Sequence, residues 1–172
     1  KIAGDAFASA IEAKKEGVKE VRVHALLDGR DVPETSALQY VDQLEEVFKE
    51  LNDDTFHGCI ASGGGRMEIT MDRYEADWSM VERGWHIHVM GDGRKFASCK
   101  EAIETYRAEG NYTDQYLPGF VIADGETPVG TIDDGDSVIL YNFRGDRAVE
   151  FSKCFDDMDT FDKFDMVKKP KV

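Results

Sequence analysis

The chain has 172 residues, 41% of them hydrophobic and 33% charged, with a formal net charge of −14, which fits a single globular domain rather than a disordered one. No apolar stretch is long enough to span a membrane, and the acidic balance argues against nucleic acid or an anionic membrane as the main partner. Three scattered cysteines, Cys59, Cys99 and Cys154, make neither a disulfide framework nor a metal knuckle and fit a reduced, cytoplasmic interior.

In chain order, Phe7, Ala10, Ile11 and Ala13 recur at helical spacing until Gly17 stops the run. The first residues read as a helix already under way, so an excised fragment is expected. Val21, Val23, Ala25 and Leu27 alternate as a strand does, and Asp28 to Asp31 form a turn at its end. Ser36 and Gln39 have the spacing of a capping box ahead of the stripe Leu38, Val41, Leu44, Val47, Phe48 and Leu51. Cys59 to Ala61 form a short buried strand leading into Ser62-Gly-Gly-Gly-Arg66, expected as a loop. Trp78, Val81, Trp85 and Val89 mark an amphipathic helix, and Lys100 to Arg107 a weaker one. Phe120 to Ile122 is a strand, Asp124-Gly125 a turn, and Ser137 to Phe143 the clearest strand of all. A helix after Arg147 should carry Val149 and Phe151 inward, and 156–172 reads as a linker with one amphipathic turn. The order predicts an α/β layered sandwich: a mostly parallel sheet, helices on both faces and a small antiparallel part near 121–132.

Arginines fall just beyond three expected strands. Arg30 with Asp31 follows the first, Arg66 and Arg73 the second, Arg144 and Arg147 the last. Ligands of open α/β sheets bind outside the carboxyl ends of strands, so these six residues are expected to share one crevice. The guanidinium fork matches carboxylate and phosphate oxygens two bonds at a time. Gly29, Gly63 to Gly65 and Gly145 are expected to let backbone approach an anion. A small ligand with two or more negative charges suits this arrangement. Other signals carry less. His86 and His88 are two apart and lie on different helix faces, which spoils a metal pair. Asp133 to Asp136 lacks the later ligands of a calcium loop, and Ser62 has no evident histidine and aspartate partners.

The stretches His24-Ala-Leu-Leu-Asp-Gly-Arg-Asp31, Ile60-Ala-Ser-Gly-Gly-Gly-Arg66, Thr70-Met-Asp-Arg73, Asp114-Gln-Tyr-Leu-Pro118 and Tyr141-Asn-Phe-Arg-Gly-Asp-Arg147 together resemble the cofactor-independent phosphoglycerate mutases. Met67, Asp77-Trp78 and Arg83-Gly-Trp85 resemble the plant and protozoan branch. The resemblance implies a part of an isomerase that interconverts 3-phosphoglycerate and 2-phosphoglycerate through a phosphoserine, in glycolysis and gluconeogenesis. It implies that 1–155 are the inserted substrate-binding domain, and that 156–172 lead back to a phosphatase-like domain. That second domain, absent from this chain, would hold the serine and two divalent ions, commonly manganese, leaving no metal or cofactor in this chain. It assigns Arg30, Asp31, Arg66, Arg73, Arg144 and Arg147 to substrate binding. Asp31, the one carboxylate in a site otherwise built to attract anions, is read as the candidate general base, with orientation of Arg30 or a neighbour through a salt bridge as the alternative. The fragment alone is expected to be inactive. A free-standing phosphometabolite-binding regulatory module is the alternative.

Overall fold

A computed structural model describes residues 2–142 and 145–172. Among them, β1 (Glu20–Leu27), β2 (His57–Gly65), β3 (Arg94–Phe96), β4 (Phe120–Asp124) and β5 (Thr127–Pro128) build one sheet in the order β1-β2-β4-β3, with β5 hydrogen-bonded to β4. β1 runs parallel to β2 and β3 parallel to β4, while β2 and β4 meet antiparallel. The expected antiparallel part near 121–132 is the β4–β5 hairpin. The β2–β4 seam extends it to the middle of the sheet. β3 has only three residues and no apolar alternation, so it left no mark in the pattern.

Helices cover both faces because successive side chains of a strand point to opposite sides. Phe120 and Ile122 join a core with Ala10 of α1 (Ile2–Lys15), Val41, Leu44 and Phe48 of α2 (Ala37–Leu51), and Ala102 and Ile103 of α4 (Cys99–Gly110). Val121 points the other way, to Ile69 and Ile87. On that side Val81 and Trp85 of α3 (Trp78–Trp85) pack with Phe151 and Cys154 of α5 (Val149–Asp156). Phe151 is buried as expected, but Val149 faces outward and Glu150 inward. The segment expected as a linker packs along this second core through Met158, Phe161, Phe164 and Met166. Trp85 Nε1 donates to the Lys168 carbonyl at 3.0 Å, and Lys168 pairs with Asp133 at 2.6 Å.

Three local expectations fail for physical reasons. The capping box does not form: Ser36 donates to the Pro33 carbonyl, and the first turn of α2 is capped from a distance by Asp114, whose Oδ2 accepts from Ala37 N–H at 2.7 Å. Asp114 is 1% exposed and also pairs with Arg107. A short-range motif was outcompeted by a tertiary contact. Ser62 to Gly65 are strand, not loop, and their glycines serve packing: a Cβ at Gly65 would stand 2.4 Å from Gln115 backbone, and one at Gly64 3.0 Å from Gly119. Ser137 to Asn142 is irregular, with Ile139 70% exposed, and Phe143 lies outside the described residues. Its β-branched, apolar run has strand propensity, but propensity acts only where a neighbouring ladder exists, and no described strand pairs with it.

Candidate functional site

Parallel pairing of β1 with β2 brings their carboxyl ends together, Leu27 opposite Gly65, so the residues that follow each strand become neighbours. Gly29, at φ 57°, makes the bend after β1 and packs against Asp114 and Gln115. Arg30 and Asp31 are exposed on that turn, and Asp31 N–H donates to Asp28 Oδ2 at 3.1 Å. Arg66 N–H continues the ladder to the Leu27 carbonyl at 3.0 Å, and its guanidinium Nη1 donates to Asp28 Oδ1 at 3.0 Å. Asp28 therefore holds Asp31 backbone with one oxygen and Arg66 with the other. Arg66 is 8% exposed, with Nε buried and without a hydrogen-bond partner among the described residues.

Arg73 lies on the loop between β2 and α3, near Asp146 at 3.5 Å and over the Tyr74 ring. Arg147 closes a 3-10 turn (Gly145–Arg147) before α5, and its Nη1 donates to the Met71 carbonyl at 2.6 Å. The Arg147 guanidinium is held below its usual pKa, first by burial, then by the positive charges of Arg66, Arg73 and Arg30, with Asp146 opposing. Arg66, Arg73 and Arg30 thus each oppose the charge of Arg147, and an anion placed beside it would relieve that opposition. Arg144 lies outside the described residues. Gly145 has open space around it, whereas Gly29, like the strand glycines, packs closely against protein. A groove of about 420 Å³ lined by Ile69, Arg83, His86 and Asp92 contains none of the six expected residues. His86 there pairs with Asp92 at 2.9 Å, and Arg83 donates to the Glu68 carbonyl at 2.8 Å.

Sequence reasoning missed the counter-carboxylates Asp28 and Asp146, which look like ordinary turn residues. It also misjudged Ser62, whose Oγ lies 2.7 Å from both His24 Nδ1 and His88 Nδ1. A register shift between Val23 and His24 puts His24 opposite Ser62, and the π-helical turn His86–Met90 presents His88 from the other side. Ser62 is fully buried, so this chain of hydrogen bonds is structural, not nucleophilic. Burial, then Arg22, lowers the His24 pKa to about 4; burial, then His24, lowers that of His88 well below its usual value. Both are neutral when folded, whereas an unfolded histidine takes up a proton near pH 6.5. Stability is therefore full above about pH 6.5 and lost as pH falls toward the folded values, by about 1.4 kcal/mol per pH unit for each histidine. Urea unfolding of this chain at pH 7 and pH 5 should show that loss, and His88→Leu should lessen it; equal stability at both pH values would exclude it.

The chain is similar to known proteins along nearly all its length. The family profile described as "BPG-independent PGAM N-terminus" matches residues 5–172. A probable 2,3-bisphosphoglycerate-independent phosphoglycerate mutase of Leptospira interrogans is 59% identical over 94% of this chain and 29% of its own length. The Trypanosoma brucei mutase is 55% identical over 91% of this chain and 28% of its own length, and that of Prunus dulcis 49% identical over 93% and 33%. A crystal structure of Leishmania mexicana phosphoglycerate mutase at low cobalt concentration superposes with a TM-score of 0.95 at 51% identity, covering 98% of this chain and 31% of that one. This chain thus spans about a third or less of the length of these relatives.

Proposed function

The chain belongs to the BPG-independent phosphoglycerate mutase family, and we propose that it is the part that grips and orients phosphoglycerate while the phosphoryl group changes oxygen. The supporting observation is that Arg30 and Arg66 follow the paired carboxyl ends of β1 and β2, while Arg147 donates to the Met71 carbonyl on the loop that carries Arg73, and Arg73 in turn lies 3.5 Å from Asp146 beside Arg147. Two guanidinium forks bind a phosphate and a carboxylate through paired hydrogen bonds. Arg144, three residues before Arg147 in the sequence, adds a further fork on this reading. Asp31 is assigned to the glycerate hydroxyl, as acceptor of its hydrogen bond and of its proton when that oxygen attacks. The nucleophilic serine and the divalent ions, commonly manganese, belong on this proposal to a phosphatase-like domain outside this chain, with 1–155 the inserted domain and 156–172 the return to its host. Among the described residues no group of three or more His, Cys, Asp or Glu is placed to hold a metal. The described residues therefore do not fit those ions.

The division of labour has a physical basis. Holding the acceptor oxygen against a phosphoenzyme is worth several kcal/mol of barrier, of order 7–11 at the limit. Excluding water protects the intermediate from hydrolysis. The pathway served would be glycolysis and gluconeogenesis in the cytoplasm, in keeping with three free cysteines; among the described residues no helix is long and apolar enough to cross a membrane. The full-length protein is expected to interconvert 3-phosphoglycerate and 2-phosphoglycerate, and this chain alone to show no turnover with any divalent metal. A full-length protein without that interconversion, or clear turnover by this chain free of contaminating mutase, would sink the proposal.

A further inference from the structure

The loop that carries Arg73 is held in a conformation that its own residues disfavour. Thr70, Tyr74 and Glu75 have φ of 69, 61 and 56°, in the left-handed region that branched and bulky side chains rarely adopt. Such backbone persists only where the surroundings over-determine it. At the start of the loop, Thr70 N–H donates to the Met80 carbonyl at 2.8 Å, and Thr70 packs so closely on α3 that a Cβ at Gly84 would stand 2.2 Å from its Oγ1. At the far end the restraint comes from α5. Glu150 Oε1 accepts from Glu75 N–H at 2.9 Å, and Lys153 Nζ pairs with the Glu75 carboxylate at 2.6 Å.

Glu150 is the unusual partner. It is 3% exposed, and its Oε2 is buried without a hydrogen-bond partner among the described residues. Its buried neighbours along the helix, Phe151 and Cys154, are apolar. A half-satisfied carboxylate in such a place is unfavourable, and an apolar side chain of the same volume would fill it better. What an apolar side chain lacks is an acceptor for the Glu75 amide. We propose that Glu150 is a positioning residue that locks the left-handed turn at Tyr74 and Glu75 and thereby aims Arg73 at the anion site. Because Arg147 lies on the approach to the same helix and donates to Met71 on the same loop, the lock also fixes the spacing of Arg73 from Arg147. The inference rests on the substrate-gripping function proposed above and adds to it a buried residue outside the arginine cluster.

The test compares Glu150→Met with Glu150→Gln in the full-length enzyme. Glutamine keeps an acceptor for the Glu75 amide; methionine keeps the volume and loses it. E150M should melt at or above the wild-type temperature yet raise KM for 3-phosphoglycerate about 10- to 100-fold, the scale of a small misplacement in a site. E150Q should stay near wild type. Amide hydrogen exchange across residues 70–76 should quicken in E150M and not in E150Q. A wild-type KM in E150M, an E150Q as impaired as E150M, or unchanged exchange in E150M would each overturn the inference. Glu150→Leu is the second apolar variant should E150M fail to fold, with the same expected results. The exchange measurement needs no turnover: a wild-type enzyme inactive on phosphoglycerate would remove the proposed function, while the loop lock would still stand or fall on exchange.

Discussion

Arg147→Ala in the full-length enzyme is expected to lower kcat/KM about 30- to 5,000-fold, equivalent to roughly 2–5 kcal/mol for truncating one partner of a desolvated charge pair, while the fold keeps or slightly gains stability. The two halves of this expectation come from one fact. Burial and the charges of Arg66, Arg73 and Arg30 oppose the charge of Arg147, with Asp146 offsetting part of this. Removing it relieves repulsion, although the hydrogen bond to the Met71 carbonyl goes with it. With an anion bound, the same charge becomes attractive, and its removal leaves the anion short of a fork. An ordinary surface ion pair behaves otherwise, contributing about 1 kcal/mol or less and leaving turnover alone. Thermal melts beside steady-state kinetics separate the cases. Near-normal kcat/KM would return Arg147 to the class of surface charges.

The same contrast explains how much the sequence could tell. The helices α1, α2 and α4 were legible because each buries one stripe against a sheet, and a stripe is a periodicity. β1 was legible by its alternation at period two, and β4 as a short continuous apolar run, buried on both faces. The segment 137–142 misled because its composition is that of a strand while the pairing that makes a strand is a property of neighbours. Glu150 was invisible because a glutamate beside Val149 on a helix reads as an outward charge. Only the register of α5, fixed by Phe151 and Cys154, turns it inward. The arginines were found because they share a position, just beyond a strand. Asp28 was not, although it binds both Arg66 and the Asp31 amide, because an aspartate before glycine is what any turn would carry.

Asp31→Asn is expected to lower turnover of the full-length enzyme by about 10²–10⁴, the range of general-base assistance, with substrate affinity unchanged or slightly improved. A carboxylate among arginines that attract a phosphorylated acid opposes binding, so its presence calls for a reason. Orienting Arg66 is not that reason, since Asp28 Oδ1 does so at 3.0 Å. Asp28 Oδ2 in turn accepts from the Asp31 N–H and fixes the backbone from which the Asp31 side chain projects, on an exposed turn beside Arg30. A carboxylate so placed can accept a hydrogen bond from the glycerate hydroxyl and take its proton as that oxygen attacks the phosphoserine. Asparagine keeps the shape and an acceptor oxygen but is a negligible base, and it lifts one negative charge from the approach of an anion. Loss of kcat with KM steady or lower is therefore the signature of the proton role. If KM rises sharply while kcat survives, Asp31 serves the arginines and the proton leaves by another route.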